Sequence, residues 1–181
     1  VDSVLPSGVI NVITGFGQSA GEPIVNHPDV PVVTFTGSVA TGKKIAKFAA
    51  ENLKKVSLEL GGKDPMIICD DADIQIAAQG ASWGGFVNAG QVCTSIERVY
   101  VFENVMDQFT EAIIEEAKKV VLGDPMKEDT HIGPMASKLQ QEKAIEKVNQ
   151  AIKDGARLLA GGGAPENLDK GYFYQPTVLD N

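Results

Sequence analysis

The sequence predicts an α/β protein in which parallel strands are connected by crossover helices. Short apolar runs rich in β-branched residues alternate with longer segments of helical periodicity between Val9 and Leu60. Glycine follows these runs, as at Gly37 and at the pair Gly61–Gly62. A β-α-β-α-β order of this kind predicts a parallel sheet. The glycine pair also marks the predicted boundary between two α/β units, because the rhythm of the pattern changes after it.

Before the glycine pair, the pattern predicts three strands and two helices. The strands are Val9–Ile13, Val32–Thr36 and Lys55–Leu60, and the helices are Ser19–Asn26 and Val39–Asn52. The second helix carries apolar residues at near 3.6-residue spacing, which favours one buried face.

After the glycine pair, strands are predicted at Pro65–Cys69, Arg98–Phe102 and Arg157–Leu159, and helices at Ile74–Val87, Val105–Val120 and Ser137–Lys153. Asp73 is among the N-cap candidates for the first of these helices. Cys69 ends an apolar run and is expected in the core. The segment Tyr172–Leu179 closes the chain.

Composition excludes several classes of function. The 181 residues carry a net charge of −8, and the 16 lysines and arginines are scattered, which argues against nucleic acid or anionic lipid as a partner. A run of about 18 apolar residues would be needed for a membrane span, and none is present. Two cysteines without a secretory signal indicate a reducing, cytoplasmic compartment.

Cys93 is the candidate nucleophile. It follows an apolar helical segment and the glycine Gly90, and it precedes a β-like run, so it occupies a connection between a helix and a strand. The alternative is a buried cysteine that acts as a small hydrophobe. His27 and His131 lie in polar loop sequence and are expected at the surface, so a Cys–His protease fits poorly.

Two further features lie where strands end. Glu59 is a carboxylate at the end of an apolar strand, and partial burial there would raise its pKa and suit a general base; the alternative is a solvent-facing residue on an edge strand. Gly37 and Ser38 separate a strand from a helix, which is the arrangement of a phosphate site or of an ordinary helix cap. No metal-ligand spacing is found.

These residues resemble the motifs of the aldehyde dehydrogenase superfamily. The matching segments are Phe35–Ser38, Leu58–Pro65 and Gly90–Cys93, supported by Gly8–Val12, Gly133–Pro134 and Gly171–Phe173. Their order and spacing agree with that family over essentially the whole chain. Ser95 is a departure, since the family more often has a different residue there.

The resemblance implies NAD(P)-dependent oxidation of an aldehyde to a carboxylate, of the hydrolytic type. Cys93 would be the nucleophile that forms a thiohemiacetal and then a thioester, and Glu59 would activate the hydrolytic water. The Cys93 N–H would supply part of the oxyanion hole. Val92 and Thr94 are expected to line the substrate tunnel from their position beside the nucleophile.

The resemblance also implies where the cofactor binds. Gly37 and Ser38 would contact the pyrophosphate, Gly17 would form a wall of the adenine pocket, and the Leu60 main chain would contact the nicotinamide amide. The cofactor is expected to be NAD or NADP, with NAD favoured. No metal ion is implied.

The resemblance further divides the chain into residues 1–61, as the C-terminal part of a Rossmann-like dinucleotide-binding domain, and residues 62–181, as the N-terminal part of the catalytic domain. The chain is therefore expected to be an internal fragment that is a poor catalyst alone, and the intact protein a homodimer or homotetramer. Two alternatives remain: a cofactor-independent thiol hydrolase that uses Cys93 and Glu59, and a non-catalytic fragment whose helix after Ser38 makes subunit contacts.

Overall fold

A computed structural model describes residues 4–180. The protein is α/β with parallel strand pairs, so the predicted fold class is confirmed. Its contacts divide the chain into two compact units, Val1–Gly61 and Gly62–Asn181, and the division falls within the glycine pair.

The first unit contains one crossover in which a helix connects two parallel strands. Its elements are a π-helical turn Gly17–Gly21, helix α1 Glu22–Asn26, strand β1 Val32–Gly37, helix α2 Val39–Glu51 and strand β2 Lys55–Leu60. β1 and β2 pair in parallel from Val32 with Lys55 to Gly37 with Leu60. The Lys54 ammonium donates to the Val25 and His27 carbonyls at 2.7 and 2.5 Å, which satisfies carbonyl groups at the end of α1.

The strand predicted at Val9–Ile13 is wrong. These residues lie outside any helix or strand, and Val9, Ile10, Val12 and Ile13 are between 53% and 84% exposed. A strand needs a neighbour to accept its main-chain hydrogen bonds. The only hydrogen-bonded partner of β1 and of β2 among the described residues is the other strand, so the apolar run Val9–Ile13 has no strand to pair with.

The second unit contains the remaining elements. They are β3 Asp64–Ile68, α3 Ile74–Phe86, β4 Ile96–Val101, α4 Met106–Lys119, α5 Lys138–Lys153, β5 Arg157–Ala160 and β6 Val178–Asp180, with short 3-10 turns at Val87–Gly90 and Glu103–Val105. β3 pairs with β4 in parallel, whereas β5 and β6 pair antiparallel. Asp73 caps α3 as predicted, since its carboxylate accepts from the amides of Gln75 and Ile76.

The core of the second unit lies between the β3–β4 pair and helices α3 and α4. Its buried side chains are Ile68, Ala78, Ala81, Phe109, Ala112 and Ile113. Burial of an aromatic side chain such as Phe109 contributes about 1.5–3 kcal/mol. Small residues bring α3 close to β4, since a Cβ on Gly84 would lie 2.5 Å from Ile96 Cδ1.

Cys69 is exposed, and its predicted place in the core is wrong. Ile68, the last residue of β3, is 2% exposed and points into the core. Successive side chains of an extended segment point to opposite faces, so the residue after Ile68 turns to solvent.

Candidate functional site

The first group of candidate residues lies where β1 and β2 end. Gly37 pairs with Leu60, and Thr36 pairs with Glu59, so the carboxylate stands beside the last residues of both parallel strands. The carboxyl ends of parallel strands, next to a helix N-terminus, are where α/β sheets bind ligands. The structure thus brings Gly37, Ser38, Glu59 and Leu60 together within the first unit.

Ser38 is the N-cap of α2. Its hydroxyl oxygen accepts a hydrogen bond from the Thr41 amide at 3.2 Å. Ser38, Val39, Ala40 and Thr41 are all exposed, so the first turn of the helix is open to solvent. A capped and accessible helix N-terminus offers main-chain N–H groups and the positive end of the helix dipole to an anion.

Gly42 allows α2 to approach the end of β2. This glycine is buried, and a Cβ placed on it would lie 2.6 Å from Leu60 Cδ2 and 2.8 Å from Leu60 Cδ1. Real Cβ atoms do not approach this closely, so a side chain here would displace Leu60. The position of Leu60 therefore depends on a glycine one turn into α2.

Glu59 and Gly17 are both exposed. The partial burial predicted for Glu59 is not found in the first unit, and its proposed role as a base rests on its position at the end of β2. Gly17 begins the π-helical turn before α1 and is not part of the β1–β2 strand ends.

The second group of candidate residues forms a turn between α3 and β4. Cys93 is exposed and its thiol is free, and the turn is closed by the Ser95 amide, which donates to the Val92 carbonyl at 3.2 Å. Val92 is half-buried and Thr94 is exposed. The predicted location of Cys93 between a helix and a strand is confirmed, and the buried alternative is not the one observed.

The main chain before Cys93 is unusual. Asn88, Ala89 and Gly90 adopt φ angles of 54°, 56° and 71°, which are consecutive left-handed conformations. Glycine adopts this region freely and asparagine tolerates it, but an alanine there costs about 1–2 kcal/mol. Such strain persists only where neighbouring groups hold it in place.

Hydrogen bonds from side chains hold this left-handed segment. Asn88 Nδ2 donates to the Gln91 carbonyl at 3.2 Å, and Gln91 Nε2 donates to the Asn88 carbonyl at 3.0 Å. Gln91 Oε1 also accepts from the Ala136 amide at 3.0 Å. The part that Asn88 and Gln91 play was not among the predictions from the sequence. The only signal for it was an asparagine two residues before a glycine, which is typical of a turn.

Behind the cysteine turn lies a cavity of about 600 Å³ within the second unit. Ser95 lines it and is 2% exposed, and its hydroxyl has no hydrogen-bond partner among the described residues. Tyr174 and Thr177 line the same cavity, where partial burial raises the pKa of the Tyr174 phenol. Ser95 therefore leaves an unpaired hydroxyl in the cavity wall, whereas an apolar residue at this position would leave none.

The strand that follows Cys93 is tied to the segment that follows Gly62. Arg98 Nε donates to the Lys63 carbonyl at 2.8 Å, and the Asp64 amide donates to Glu97 Oε2 at 3.2 Å. These bonds extend the β3–β4 pairing beyond its first residue and fix the start of β4, three residues after Cys93.

The predicted site residues fall into two groups, one in each unit. Gly17, Gly37, Ser38, Glu59 and Leu60 belong to the first unit, and Val92, Cys93 and Thr94 belong to the second.

Three other expectations concern histidines, metals and membranes. His27 and His131 are exposed, as predicted. Residues 4–180 contain no group of three or more His, Cys, Asp or Glu side chains arranged to hold a metal ion. In the same range, every helix is too short or too polar to cross a bilayer.

Curated relatives match almost the whole chain. It is 45% identical to a chloroplastic aminoaldehyde dehydrogenase of Arabidopsis thaliana, with 97% of this chain and 35% of the relative covered. It is 47% identical to a betaine aldehyde dehydrogenase of Sinorhizobium fredii, with 99% and 37% covered. The chain thus spans little more than a third of the length of these relatives.

Solved structures agree with this similarity. The NAD⁺ complex of an aldehyde dehydrogenase from Bacillus cereus superposes with a TM-score of 0.94 at 44% identity, covering 98% of this chain and 36% of that one. Lactaldehyde dehydrogenase from Escherichia coli gives a TM-score of 0.93 at 41% identity, covering 98% and 37%. The model of the aldehyde dehydrogenase family matches residues 1–181. The chain belongs to the aldehyde dehydrogenase family.

Proposed function

We propose that the full-length protein oxidises an aldehyde to a carboxylate with a nicotinamide dinucleotide, and that Cys93 is its nucleophile. The observation that carries the proposal is the free, exposed Cys93 thiol on a hydrogen-bonded turn, in a chain that belongs to this family. A nucleophilic thiol needs access to substrate and a fixed direction of attack. The exposure of Cys93 and the bonds that hold its turn meet these two requirements.

In the proposed mechanism, the Cys93 thiolate attacks the aldehyde carbon and forms a thiohemiacetal. The main-chain N–H of Cys93 donates to the developing oxyanion. A nicotinamide dinucleotide held at the strand ends by Gly37, Ser38 and Leu60 would supply the oxidant that removes a hydride from this carbon, and Cys93 would then carry a thioester. Glu59 takes a proton from water, the resulting hydroxide attacks the thioester carbon, and the carbon–sulfur bond breaks to release the carboxylate and the thiolate.

The cofactor residues are proposed from the geometry of the first unit. The accessible N-terminus of α2, with Gly37 and Ser38 before it, suits the pyrophosphate, and the Leu60 main chain at the end of β2 suits the nicotinamide amide. Gly17 is proposed for the adenine pocket. NAD is favoured over NADP because the Bacillus cereus relative was solved with NAD⁺.

The two units are proposed to be parts of the dinucleotide-binding domain, residues 1–61, and of the catalytic domain, residues 62–181. Val92 and Thr94, which flank Cys93, are proposed to line the substrate tunnel. The substrate is proposed to be a small aldehyde, and the relatives named for aminoaldehydes and betaine aldehyde make these the first candidates.

The full-length protein is proposed to be a cytoplasmic homodimer or homotetramer. Relatives from chloroplasts and peroxisomes show that the family is not confined to one compartment. Size-exclusion chromatography with light scattering measures the oligomeric state directly.

The experiment compares two exposed cysteines of the same chain. The full-length protein and its Cys93→Ser and Cys69→Ser variants are mixed with a panel of aldehydes and with NAD or NADP, and reduced cofactor is measured. We expect Cys93→Ser to lower kcat by about 10³-fold or more, while Cys69→Ser remains close to wild type. Full activity of Cys93→Ser would contradict the assignment. Cleavage of esters without cofactor and no reaction with aldehydes would favour the thiol hydrolase.

A further inference from the structure

We propose that Gln91 is a positioning residue for Cys93. In this role, its side chain fixes the cysteine turn between the end of α3 and the segment that leads into α5. The inference rests on the proposed function, because it concerns how the nucleophile is held for attack. Gln91 itself contacts main-chain groups rather than the reacting atoms.

The first part of this arrangement is the reciprocal pair formed by Gln91 and Asn88. Each side-chain amide donates to the main-chain carbonyl of the other residue, at 3.0 Å from Gln91 and 3.2 Å from Asn88. The Gln91 amide also donates to the Asn88 carbonyl at 3.2 Å. Together these bonds close the loop around Ala89 and Gly90, which are left-handed.

The second part anchors the turn to a distant segment. Gln91 Oε1 accepts from the Ala136 amide at 3.0 Å across 45 residues of sequence. Ala136 directly precedes Ser137, whose hydroxyl oxygen caps α5 by accepting from the Gln140 amide. The turn is therefore fixed against the start of a 16-residue helix rather than against another loop.

Cys93 depends on these bonds because little packing holds it. Its side chain is exposed, as is Thr94, whereas Gln91 and Val92 are half-buried. Without the Gln91 side chain, the left-handed segment loses the bonds to the Asn88 carbonyl and the Ala136 amide, and only the bonds to the Gln91 main chain remain to oppose its strain. The turn then relaxes, and the thiol two residues later changes its direction of attack. An error of about 1 Å in such a position costs up to about 100-fold in rate.

The test uses Gln91→Leu with Gln141→Leu as the matched control. Gln141 is also in the second unit, and its Nε2 donates to the Phe173 carbonyl at 2.6 Å without contacting the cysteine turn. We expect Gln91→Leu in the full-length protein to lower kcat by about 10- to 100-fold, with KM changed by about twofold or less. Gln141→Leu is expected to lower the melting temperature but to leave kcat near wild type.

Gln91→Glu separates the two parts of the arrangement. A carboxylate still accepts from the Ala136 amide but no longer donates to the Asn88 carbonyl. We expect this variant to recover part of the kcat lost in Gln91→Leu. If Gln91 only stabilised the fold, the kcat values of Gln91→Leu, Gln91→Glu and Gln141→Leu would fall in the same order as their melting temperatures.

Hydrogen exchange provides a readout that does not depend on activity. In wild type the Ala136 amide is held by Gln91 Oε1, so we expect its exchange to be about five- to tenfold faster in Gln91→Leu and unchanged in Gln141→Leu. The melting temperature of each variant reports whether its fold is intact.

The inference is overturned if Gln91→Leu keeps its kcat within about twofold of wild type, if only KM changes, or if Ala136 exchange is unaffected. Failure of the proposed function has a different result, since wild type itself would then give no cofactor-dependent oxidation of any aldehyde. In that case, unchanged Ala136 exchange in Gln91→Leu would also contradict the hydrogen bond from the Ala136 amide to Gln91. Faster exchange would support that hydrogen bond but not its effect on the reaction rate.

Discussion

The two groups of site residues are held in place by different physical means. At the ends of β1 and β2, Gly37, Glu59 and Leu60 are positioned by a regular parallel register and by the close approach of α2. At the cysteine turn, Cys93 follows left-handed residues that specific side-chain hydrogen bonds hold in place. Regular secondary structure determines the geometry of the strand ends, and individual side chains determine the geometry of the cysteine turn.

This difference predicts how each region responds to mutation. Where main-chain pairing and helix approach set the geometry, substitutions act through packing and capping, and they change stability together with cofactor affinity. Where side-chain bonds set the geometry, a substitution such as Gln91→Leu changes the rate of reaction more than stability.

The largest effect on stability is expected from Gly42→Val. The new side chain would overlap Leu60, which lies 2.6 Å from the Cβ position, and overpacking of this kind costs about 1–3 kcal/mol. The displaced Leu60 should also weaken cofactor binding. Gly80→Val is the matched control, because the nearest atom to its Cβ position in α3 is Met66 Cε at 3.9 Å. Denaturant unfolding and cofactor titration measure both quantities; equal results for the two variants would contradict the packing argument.

A smaller effect is expected from Ser38→Ala. Loss of the cap on α2 should lower the free energy of unfolding by about 1 kcal/mol. Ser137→Ala removes the corresponding cap from α5 and should cost a similar amount. Cofactor affinity is expected to fall only for Ser38→Ala, because only α2 begins at the proposed pyrophosphate site. Calorimetric titration with the cofactor distinguishes the two, and a parallel loss of affinity in Ser137→Ala would count against this placement.

The smallest effect is expected from Ser95→Ala. The Ser95 hydroxyl is buried without a partner, so its removal should leave the free energy of unfolding unchanged or raise it by up to about 1 kcal/mol. Thr177→Val is the contrast in the same cavity, since Thr177 Oγ1 donates to the Gln175 carbonyl and accepts from the Gly162 amide. Thermal unfolding should show a loss for Thr177→Val only; a clear loss for Ser95→Ala would mean that the full-length protein supplies a partner.

Local patterns in the sequence were sufficient to predict the regular elements. The strand at Lys55–Leu60, the helix from Val39 and the Asp73 cap were predicted because periodicity and capping are local properties of the sequence. The position of Cys93 between a helix and a strand followed from the same patterns. The location of Gly37, Glu59 and Leu60 at strand ends could therefore be predicted from the sequence.

The errors occurred where the structure depends on distant partners. Val9–Ile13 is rich in β-branched residues and is typical of a strand, but pairing requires a neighbouring strand that the local pattern does not reveal. Cys69 was placed in the core because its neighbours are apolar, although the direction of its side chain depends on where β3 ends. The bond from Gln91 to Ala136 spans 45 residues, and no local pattern indicates it.

The most direct test of the central claim uses Glu59→Gln in the full-length protein. The variant is mixed with an aldehyde and either NAD or NADP, and intact mass with peptide mapping locates any acyl group. Glu128→Gln, which alters another exposed carboxylate in a loop of the second unit, is the control and should turn over without accumulating an adduct. We expect an acyl group to accumulate on Cys93 in Glu59→Gln only when a cofactor is present. The absence of an adduct on Cys93, or an adduct formed from esters without cofactor and not from aldehydes, would contradict it.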